Sequence, residues 1–201
     1  MTTTETLNAV PESRWTSEEA WVGTRRPIHE AHALPADCYV DNAFFAEEKE
    51  HVFATSWVCV GLHDELDAPG SAIVRIVAGH SVILTRNADG RLRGFLNACR
   101  HRGTHLLEDD CTLDGTIRCP YHRWGYDRDG SLVATPKFAE VGVDGFDPAD
   151  YGLHPVRVDT WQCLLVVCLS DETPPVGEWF GDLDARLAGY RLDDWRSHLT
   201  E

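Results

Sequence analysis

The sequence predicts a mainly β protein built from short antiparallel strands, with helical segments confined to its two ends. Eight short runs rich in β-branched and aromatic residues follow one another between residues 57 and 170. Tetrapeptides at 87–90, 112–115 and 127–130 end in Asp-Gly, the strongest local signal for a hairpin turn. The pair Pro174-Pro175 cannot continue strand pairing, so the β region is expected to end before it.

The order of these signals predicts the segments of the chain. They are an N-terminal arm (1–35), a helix packing on the core (36–56), the β domain (57–170) and an acidic helical extension at the C-terminus (171–201). The arm is polar and irregular, while Asp41 or Asn42 is placed to cap the helix, which is expected to run to about residue 55. Its face with Phe44, Phe45, Val52 and Phe53 is expected to be half-buried. The extension carries leucines and a tyrosine at a spacing typical of a helix.

Net charge and composition exclude two classes of partner. The chain has 18 basic and 33 acidic residues, a net charge of −15, so the phosphates of nucleic acids and anionic membranes are repelled. Its longest nearly unbroken apolar run, residues 163–169, is far shorter than the roughly twenty residues of a membrane helix. The first thirty residues contain no apolar leader, and the seven cysteines are typical of reduced thiols or metal ligands. A cytoplasmic protein is therefore expected.

Two short stretches carry the candidate chemistry. "NACRHRG" contains Cys99 and His101, and "CPYHRWG" contains Cys119 and His122. When the spacing is allowed to vary, a pattern of this kind arises by chance in roughly 1% of chains with this many cysteines and histidines, so the signal is strong. The residues between the two pairs include a turn at Asp114-Gly115, which is expected to place each pair on its own loop.

Two kinds of metal centre fit these four donors. Two thiolates and two imidazoles can hold a single tetrahedral zinc, but zinc knuckles usually space two cysteines two to four residues apart. Here each stretch mixes one cysteine with one histidine, which suits a two-iron, two-sulfide cluster whose cysteines bind one iron and whose histidines bind the other. With two thiolates and two neutral imidazoles the oxidised cluster has a net charge of about zero, so an added electron meets less repulsion than with four thiolates.

The motif region is an island of positive charge in an acidic chain. Between Arg91 and Arg128 there are seven arginines and five acidic residues. Arginines next to the four donors are expected to favour the reduced form of such a centre. The alternative is that these arginines are solvated or pair with the acidic run 108–110.

"NACRHRG" together with "CPYHRWGYDRDGSLV" closely resembles the Rieske domain of the α-subunits of Rieske non-haem iron oxygenases, the aromatic ring-hydroxylating family. The resemblance covers most of residues 34–170. It implies a Rieske-type antiparallel β-sandwich with two cluster-binding loops and a [2Fe-2S] cluster. By the same resemblance, the cluster ligands are Cys99, His101, Cys119 and His122, and the cluster is shielded by Trp124. Arg123 departs from the family, which more usually has glycine there.

Respiratory-chain Rieske proteins differ from this sequence. They add a cysteine to each loop to form a disulfide, have a membrane anchor, and carry serine at the position of Trp124. Because tryptophan gives no hydroxyl donor to the sulfides, a potential toward the lower end of the Rieske range is expected.

The resemblance implies that the chain is the electron-transfer portion of an oxygenase. It would take electrons from a ferredoxin or flavin reductase and pass them to a mononuclear iron. That iron is expected on a catalytic oxygenase chain or domain, because this sequence has no further motif with two histidines and a carboxylate to bind it. A homo-oligomer is compatible with it, since related enzymes form trimers. The alternatives are a stand-alone Rieske ferredoxin and a structural Cys2His2 zinc module. The sequence leaves the substrate open, and also whether the reaction is a mono- or a dioxygenation. It also leaves open whether the chain is a natural split subunit or a truncated α-subunit.

Overall fold

The computed structural model of the protein describes residues 14–136 and 138–198. The chain separates into two compact units, and the division falls between Val52 and Phe53. The first thirteen residues of the predicted arm and the last three of the predicted extension lie outside the described residues. The division into four segments stays a prediction. Within the described ranges no helix is long and apolar enough to cross a membrane.

The first unit contains short helical turns around a small aromatic cluster. Its elements are 3-10 turns at Arg14–Thr16, Glu18–Trp21 and Ala36–Tyr39, then helix α1 at Asn42–Glu48, which continues as a π-helical turn at Lys49–Phe53. Asp41 caps α1, as predicted, because its carboxylate accepts the amide of Ala43 at 2.8 Å. Trp15 is buried against Phe44, with ring centroids 5.0 Å apart, so the arm is not irregular throughout.

The apolar residues predicted for this helix are about half-buried, as expected, but they are not gathered on one packed face. Phe45, Val52 and Phe53 are 52%, 50% and 38% exposed, and only Phe44 joins the aromatic cluster of the first unit. The reason is geometric, because Phe44 and Phe45 are successive residues and point about 100° apart on an α-helix.

Among its described residues, the second unit has ten strands in two antiparallel sheets, which confirms the predicted mainly β class. The strands are β1 Val58–Leu62, β2 Ser71–Val77, β3 His80–Arg86, β4 Leu92–Leu96, β5 Cys111–Thr112, β6 Ile117–Arg118, β7 Gly125–Tyr126, β8 Leu132–Ala134, β9 Pro155–Trp161 and β10 Leu164–Cys168. Seven strands form one sheet in the order β1-β10-β9-β4-β3-β2-β5, and three form the other in the order β6-β7-β8.

Helical segments in the second unit are short. They are α2 Phe138–Val141, α3 Val176–Phe180 and α4 Leu183–Leu187, with 3-10 turns at His63–Leu66, Pro148–Tyr151, Ala188–Tyr190 and Leu192–Asp194. The helical character predicted after Pro175 is therefore present, as two single-turn helices and two 3-10 turns. Phe180 of α3 stacks on Trp161 of β9, with ring centroids 4.3 Å apart, and this contact attaches the segment to the large sheet.

Two of the three Asp-Gly signals are hairpin turns, and the third is not. Residues 87–90 join β3 to β4, and residues 127–130 join β7 to β8, each between strands that pair with one another. Asp114-Gly115 instead links β5, which pairs with β2, to β6, which pairs with β7. At that turn the chain leaves the large sheet and enters the small one.

The large sheet curls until its first and sixth strands approach each other. Arg75 on β2 donates to the backbone carbonyl of Val60 on β1 at 3.0 Å, although four strands separate β1 from β2 in the sheet. Arg75 also binds the carboxylates of Glu65 and Asp110. Burial opposes the charge on Arg75, but these hydrogen bonds outweigh it and raise the pKa of the guanidinium.

A hydrophobic core lies between the two sheets and is continuous with the two candidate loops. Its buried members are Ile83, Phe95, Cys99, Leu106, Ile117, Cys119, Trp124, Tyr126, Leu132 and Leu153. Gly130 of the β7–β8 turn packs directly on Phe95 of the large sheet, and a Cβ there would lie 2.4 Å from that ring. Because its φ is also +87°, glycine is required at this position.

Candidate metal centre

The first loop follows β4 and is closed by one buried side chain. Asn97, 2% exposed, accepts the amides of Leu106 and Leu107 at 2.8 and 3.1 Å. Its amide group donates to the carbonyl of Leu107 and to the hydroxyl of Ser81. A buried amide with four partners fixes both ends of a loop that has no strand pairing of its own. The sequence reasoning missed Asn97, although it stands two residues before Cys99.

Each cysteine begins a tight turn closed by backbone hydrogen bonds. In the first loop the amide of Gly103 donates to the carbonyl of Cys99 at 2.8 Å. In the second loop the amide of Arg123 donates to the carbonyl of Cys119 at 3.1 Å. Arg123 has φ +64°, a left-handed conformation that costs a non-glycine residue roughly 1–2 kcal/mol. This is a physical reason for glycine to be more usual there.

The four predicted donors come together as two pairs. Cys99 and Cys119 are 3% and 1% exposed and share the core between the sheets, while the imidazoles of His101 and His122 are only partly buried, with ring centroids 4.8 Å apart. Across residues 14–136 and 138–198 no three His, Cys, Asp or Glu side chains are gathered as they would be around one ion. The two thiols are thus buried in the core between the sheets, and the two imidazoles lie nearer the surface.

The electrostatics of the site suit a neutral imidazole and a buried sulfur pair. Burial, then the neighbouring His122 and Arg102, lowers the pKa of His101, and the neutral ring is the form that binds metals. Burial raises the pKa of the Cys99 thiol, and nearby Cys119 raises it further. Two thiolates in this core would need a cation to offset them, so the sulfur side is adapted to a positively charged guest.

One polar atom in the site has no partner. Nδ1 of His122 is buried, and no hydrogen-bond partner for it exists among the described residues. A buried ring nitrogen without a hydrogen bond is costly unless something else binds it. It is suited to bind iron from the interior, and the donor set as a whole fits a [2Fe-2S] cluster of mixed sulfur and nitrogen ligation.

Two buried aromatic residues lie beside the four donors and enclose the candidate metal centre. Trp124, 3% exposed, stacks on the ring of His101 with a centroid distance of 4.8 Å and an interplanar angle of 12°. Tyr126 is fully buried, accepts the amide of Arg100 at 3.0 Å, and has its hydroxyl 3.3 Å from the sulfur of Cys99. Since the oxygen of Tyr126 already accepts one bond, its proton is available to that sulfur. Sequence reasoning predicted Trp124 but missed Tyr126, which follows it by two residues on β7.

The arginines near the donors are mostly solvated. No ion pair joins Arg102, Arg118 or Arg123 to a carboxylate in the part of the chain that the structure describes. Asp110, a partner considered for them from the sequence, binds Arg75 instead. Arg100 differs from the other three, because its guanidinium contacts His154 and the carbonyl of Asp150.

Comparisons with known proteins agree with this geometry. The family described as "Rieske [2Fe-2S] domain" matches residues 56–151, which contain all four donors and indicate a Rieske-type [2Fe-2S] cluster. The chain is 34% identical over 163 residues to the glycine betaine monooxygenase oxygenase subunit of Chromohalobacter salexigens, covering 81% of this chain and 36% of that protein. It is 34% identical over 158 residues to the carnitine monooxygenase oxygenase subunit of Escherichia coli K12, covering 79% and 42%.

A solved structure agrees with the fold. The quaternary ammonium Rieske monooxygenase CntA in complex with L-carnitine superimposes with a TM-score of 0.75 at 31% identity, covering 82% of this chain and 47% of that one. Inter-subunit electron transfer has been described for a quaternary ammonium Rieske monooxygenase whose structure superimposes with a TM-score of 0.73 at 31% identity, covering 79% of this chain and 43% of that one. The chain thus spans less than half the length of each of these proteins.

Proposed function

We propose a function from one premise: this chain contains a Rieske [2Fe-2S] domain of the kind found in oxygenase α-subunits. The chain serves as the electron-transfer portion of a Rieske non-haem iron oxygenase. The observation that carries the proposal is the arrangement of the four donors, with a buried pair of thiols and a partly exposed pair of imidazoles. When bound, a cluster of this type supplies a one-electron carrier.

The residues of this chain have separate tasks in the proposal. Cys99 and Cys119 hold the buried side, and His101 and His122 hold the side nearest the surface. Trp124 covers the ring of His101 and excludes water from it. Nδ1 of His122 is buried, so its other ring nitrogen is the one we expect a redox partner to approach.

The partners belong to the same proposal. A ferredoxin or flavin reductase would donate electrons, and a catalytic oxygenase chain or domain with a mononuclear iron would accept them. The relatives named above are oxygenase subunits, which favours this role over a stand-alone ferredoxin. The seven thiols are all unpaired in the structure, which supports the proposed cytoplasmic location.

Substitution of one imidazole tests the proposal. The purified protein is expected to be red-brown, with two irons and two acid-labile sulfides per chain. His122→Ala should remove most of this iron and the visible absorption while leaving most of the β signal in far-ultraviolet circular dichroism, since most of the large sheet packs around a separate buried cluster that includes Val82, Leu84 and Leu165. His105→Ala is the matched control, because His105 is an exposed histidine of the first loop, and it should keep the spectrum. Full retention of the spectrum in His122→Ala would refute the assignment.

A reconstitution experiment tests the oxygenase role. With a catalytic-domain chain encoded beside it or purified with it, the wild-type protein should support electron delivery to that chain, and His122→Ala should not. Reversible reduction by a reductase in the absence of any such oxygenase component would instead favour a stand-alone carrier.

A further inference from the structure

We propose that the Asp114-Gly115 peptide is a site of spontaneous backbone modification, at which the aspartate becomes isoaspartate through a cyclic succinimide. Four Asp-Gly pairs occur in the chain, with the aspartates at positions 89, 114, 129 and 144. Glycine favours this reaction because it has no side chain to hinder attack by its own amide nitrogen. The sequence alone does not distinguish the four pairs, but their hydrogen bonds in the structure do.

The reaction consumes no cofactor, and its only co-reactant is water. The amide nitrogen of Gly115 attacks the side-chain carboxyl carbon of Asp114, a C–N bond forms, and one carboxyl oxygen leaves as water. Water then adds to one of the two carbonyl carbons of the ring and breaks the bond from that carbon to the nitrogen. Opening at the side-chain carbonyl restores aspartate, whereas opening at the main-chain carbonyl leaves the chain running through the side chain. The attacking N–H must be free to turn and to lose its proton, so a hydrogen bond from it opposes the reaction.

In the two hairpin turns the glycine amide is held. Gly90 donates to the carbonyl of Asn87 at 3.0 Å, and Gly130 donates to the carbonyl of Asp127 at 3.1 Å. The carboxylate of Asp129 is held as well, because it accepts the side-chain amide of Asn87 at 2.9 Å. These bonds must break before the ring can close, and breaking them costs free energy. Both hairpin pairs are therefore expected to resist the reaction.

The Asp114-Gly115 pair lacks both restraints. In the ranges that the structure describes, the amide of Gly115 donates no hydrogen bond, and the carboxylate of Asp114 accepts none and forms no ion pair. Both residues are exposed, and a Cβ built at Gly115 would have nothing within 4 Å. Water therefore reaches the peptide, and the carboxyl group has room to turn toward the nitrogen.

The backbone conformation of the pair also favours opening. The amide of Thr116 donates to the carbonyl of Asp114 at 3.0 Å, and Gly115 between them has φ +81°. A three-residue turn with positive φ at its centre is the rare and strained form. The flanking strands β5 and β6 pair with β2 and β7 and not with each other, so no strand pairing holds the turn closed. Fluctuations that bring the carboxyl carbon to the glycine nitrogen are therefore less costly here than in the hairpins.

Asp144-Gly145 is the fourth pair and provides an internal reference. Its glycine amide donates no hydrogen bond among the described residues, and both residues are exposed. The amide of Phe146 donates to the carbonyl of Val143 at 3.3 Å and closes a four-residue turn around the pair. Isomerisation is expected there too, so this pair shows what a free amide contributes without the strained turn.

Peptide mapping of aged protein tests the proposal. The full-length protein is kept near neutral pH and body temperature for several weeks and then digested, and electron-transfer fragmentation of the separated peptides locates isoaspartate. Isoaspartate should accumulate severalfold more at Asp114 and Asp144 than at Asp89 and Asp129. In urea, where the turns are lost, all four pairs should react at similar rates. Equal accumulation at Asp114 and the two hairpin aspartates in the folded protein would overturn the proposal.

One substitution blocks the reaction and conserves the charge. Asp114→Glu requires a six-membered ring, which closes far more slowly. Hydroxylamine attacks the succinimide, so it should cleave the wild-type chain between residues 114 and 115 but leave that peptide intact in the variant. Asp89→Glu is the matched control, with the same change at an exposed aspartate of the β3–β4 turn, and it should be cleaved as the wild type is. Wild-type cleavage after residue 114 in Asp114→Glu, or none there in the wild type, would refute the site.

The position of the pair gives the modification a consequence, and this part alone rests on the proposed function. Isoaspartate adds one carbon to the main chain where it passes from the large sheet to the small one, just before β6 and Cys119. Ageing should therefore lower the iron content of the wild type more than that of Asp114→Glu. Isoaspartate at Asp114 with full iron content would refute the consequence and support the site. Absence of iron from the fresh protein would refute the proposed function, and the peptide map would still decide the site.

Discussion

The hydroxyl group of Tyr126 ties the sulfur side of the centre to the backbone of the first loop. It accepts the amide of Arg100 and lies 3.3 Å from the sulfur of Cys99. Burial, followed by the bond to Cys99, raises the pKa of Tyr126 well above its usual range, so the hydroxyl keeps its proton at all working pH values. Trp124 has no hydroxyl group to donate to the sulfur side of the centre. Tyr126, two residues later in the chain, has one.

Tyr126→Phe is therefore expected to lower the midpoint potential of the reconstituted protein. A hydrogen bond to sulfur stabilises the more negative, reduced form, and its loss should lower the potential by roughly 20–60 mV, equivalent to about 0.5–1.5 kcal/mol for one electron. Redox titration monitored by visible circular dichroism measures the change. Tyr121→Phe, at an exposed tyrosine, should leave the potential within a few millivolts. An unchanged potential in Tyr126→Phe would show that the hydroxyl does not bond to the sulfur in solution.

At the scale of single residues, spacing predicted the four donors because metal ligands must recur at fixed offsets. Trp124 was predicted through the resemblance, since a buried tryptophan beside a ligand pair gives no signal of its own. Asn97 and Tyr126 were missed for the same reason. Their roles depend on partners 10 and 27 residues away, and such distant contacts leave no periodic trace in the sequence.

At the scale of elements, two hairpin turns are joined and thereby orient the two loops. Asn87 in the β3–β4 turn is 1% exposed, organises that turn through its side-chain oxygen, and donates to Asp129 in the β7–β8 turn at 2.9 Å. Arg93 of β4 also donates to Asp129, at 2.8 Å. The large sheet carries the first loop and the small sheet carries the second, so this contact helps to fix one pair of donors against the other.

The contact should make stability depend on pH. The bond from Asn87, and then the one from Arg93, lowers the pKa of Asp129 below its ordinary value of 3.8. The charge of Asp129 thus stabilises the folded state fully above pH 3.8, and this contribution is lost as the pH falls through the lower folded value. Because the side chain is 49% exposed, it amounts to about 1 kcal/mol or less.

Asp129→Asn keeps an acceptor but removes the charge. Urea unfolding should show the variant less stable than the wild type at pH 7, with the difference nearly gone at about pH 2. Asp109→Asn, at an exposed aspartate in the first loop, serves as the control. A difference that stays constant from pH 7 to pH 2 would contradict a role for the charge.

The strands themselves were predictable, since each apolar run is short and bounded by turn residues. Asp-Gly favours a turn with positive φ, and φ is indeed +81° at Gly115. The prediction of a hairpin at Asp114-Gly115 was wrong because the dipeptide does not determine which strands pair on either side of the turn. Strand partners are chosen by distant packing, and β5 and β6 belong to different sheets.

At the scale of the whole molecule, an acidic protein has a partly exposed imidazole pair flanked by arginines and backed by a buried sulfur pair. The mainly β class followed from local signals, whereas the strand order and the curl that brings Arg75 to Val60 depend on contacts between distant residues. The charge island was visible in the sequence, but the structure was needed to show that Arg102, Arg118 and Arg123 are exposed.

Mössbauer spectroscopy of the ⁵⁷Fe-enriched protein tests the central claim, mixed sulfur and nitrogen ligation of a two-iron cluster, most directly. We expect two distinct iron sites in equal amounts in the oxidised protein, one bound by Cys99 and Cys119 and the other by His101 and His122. On reduction with dithionite, only the histidine-bound site should become ferrous. A single class of iron, as expected for four equivalent cysteine ligands, or zinc in place of iron, would contradict it.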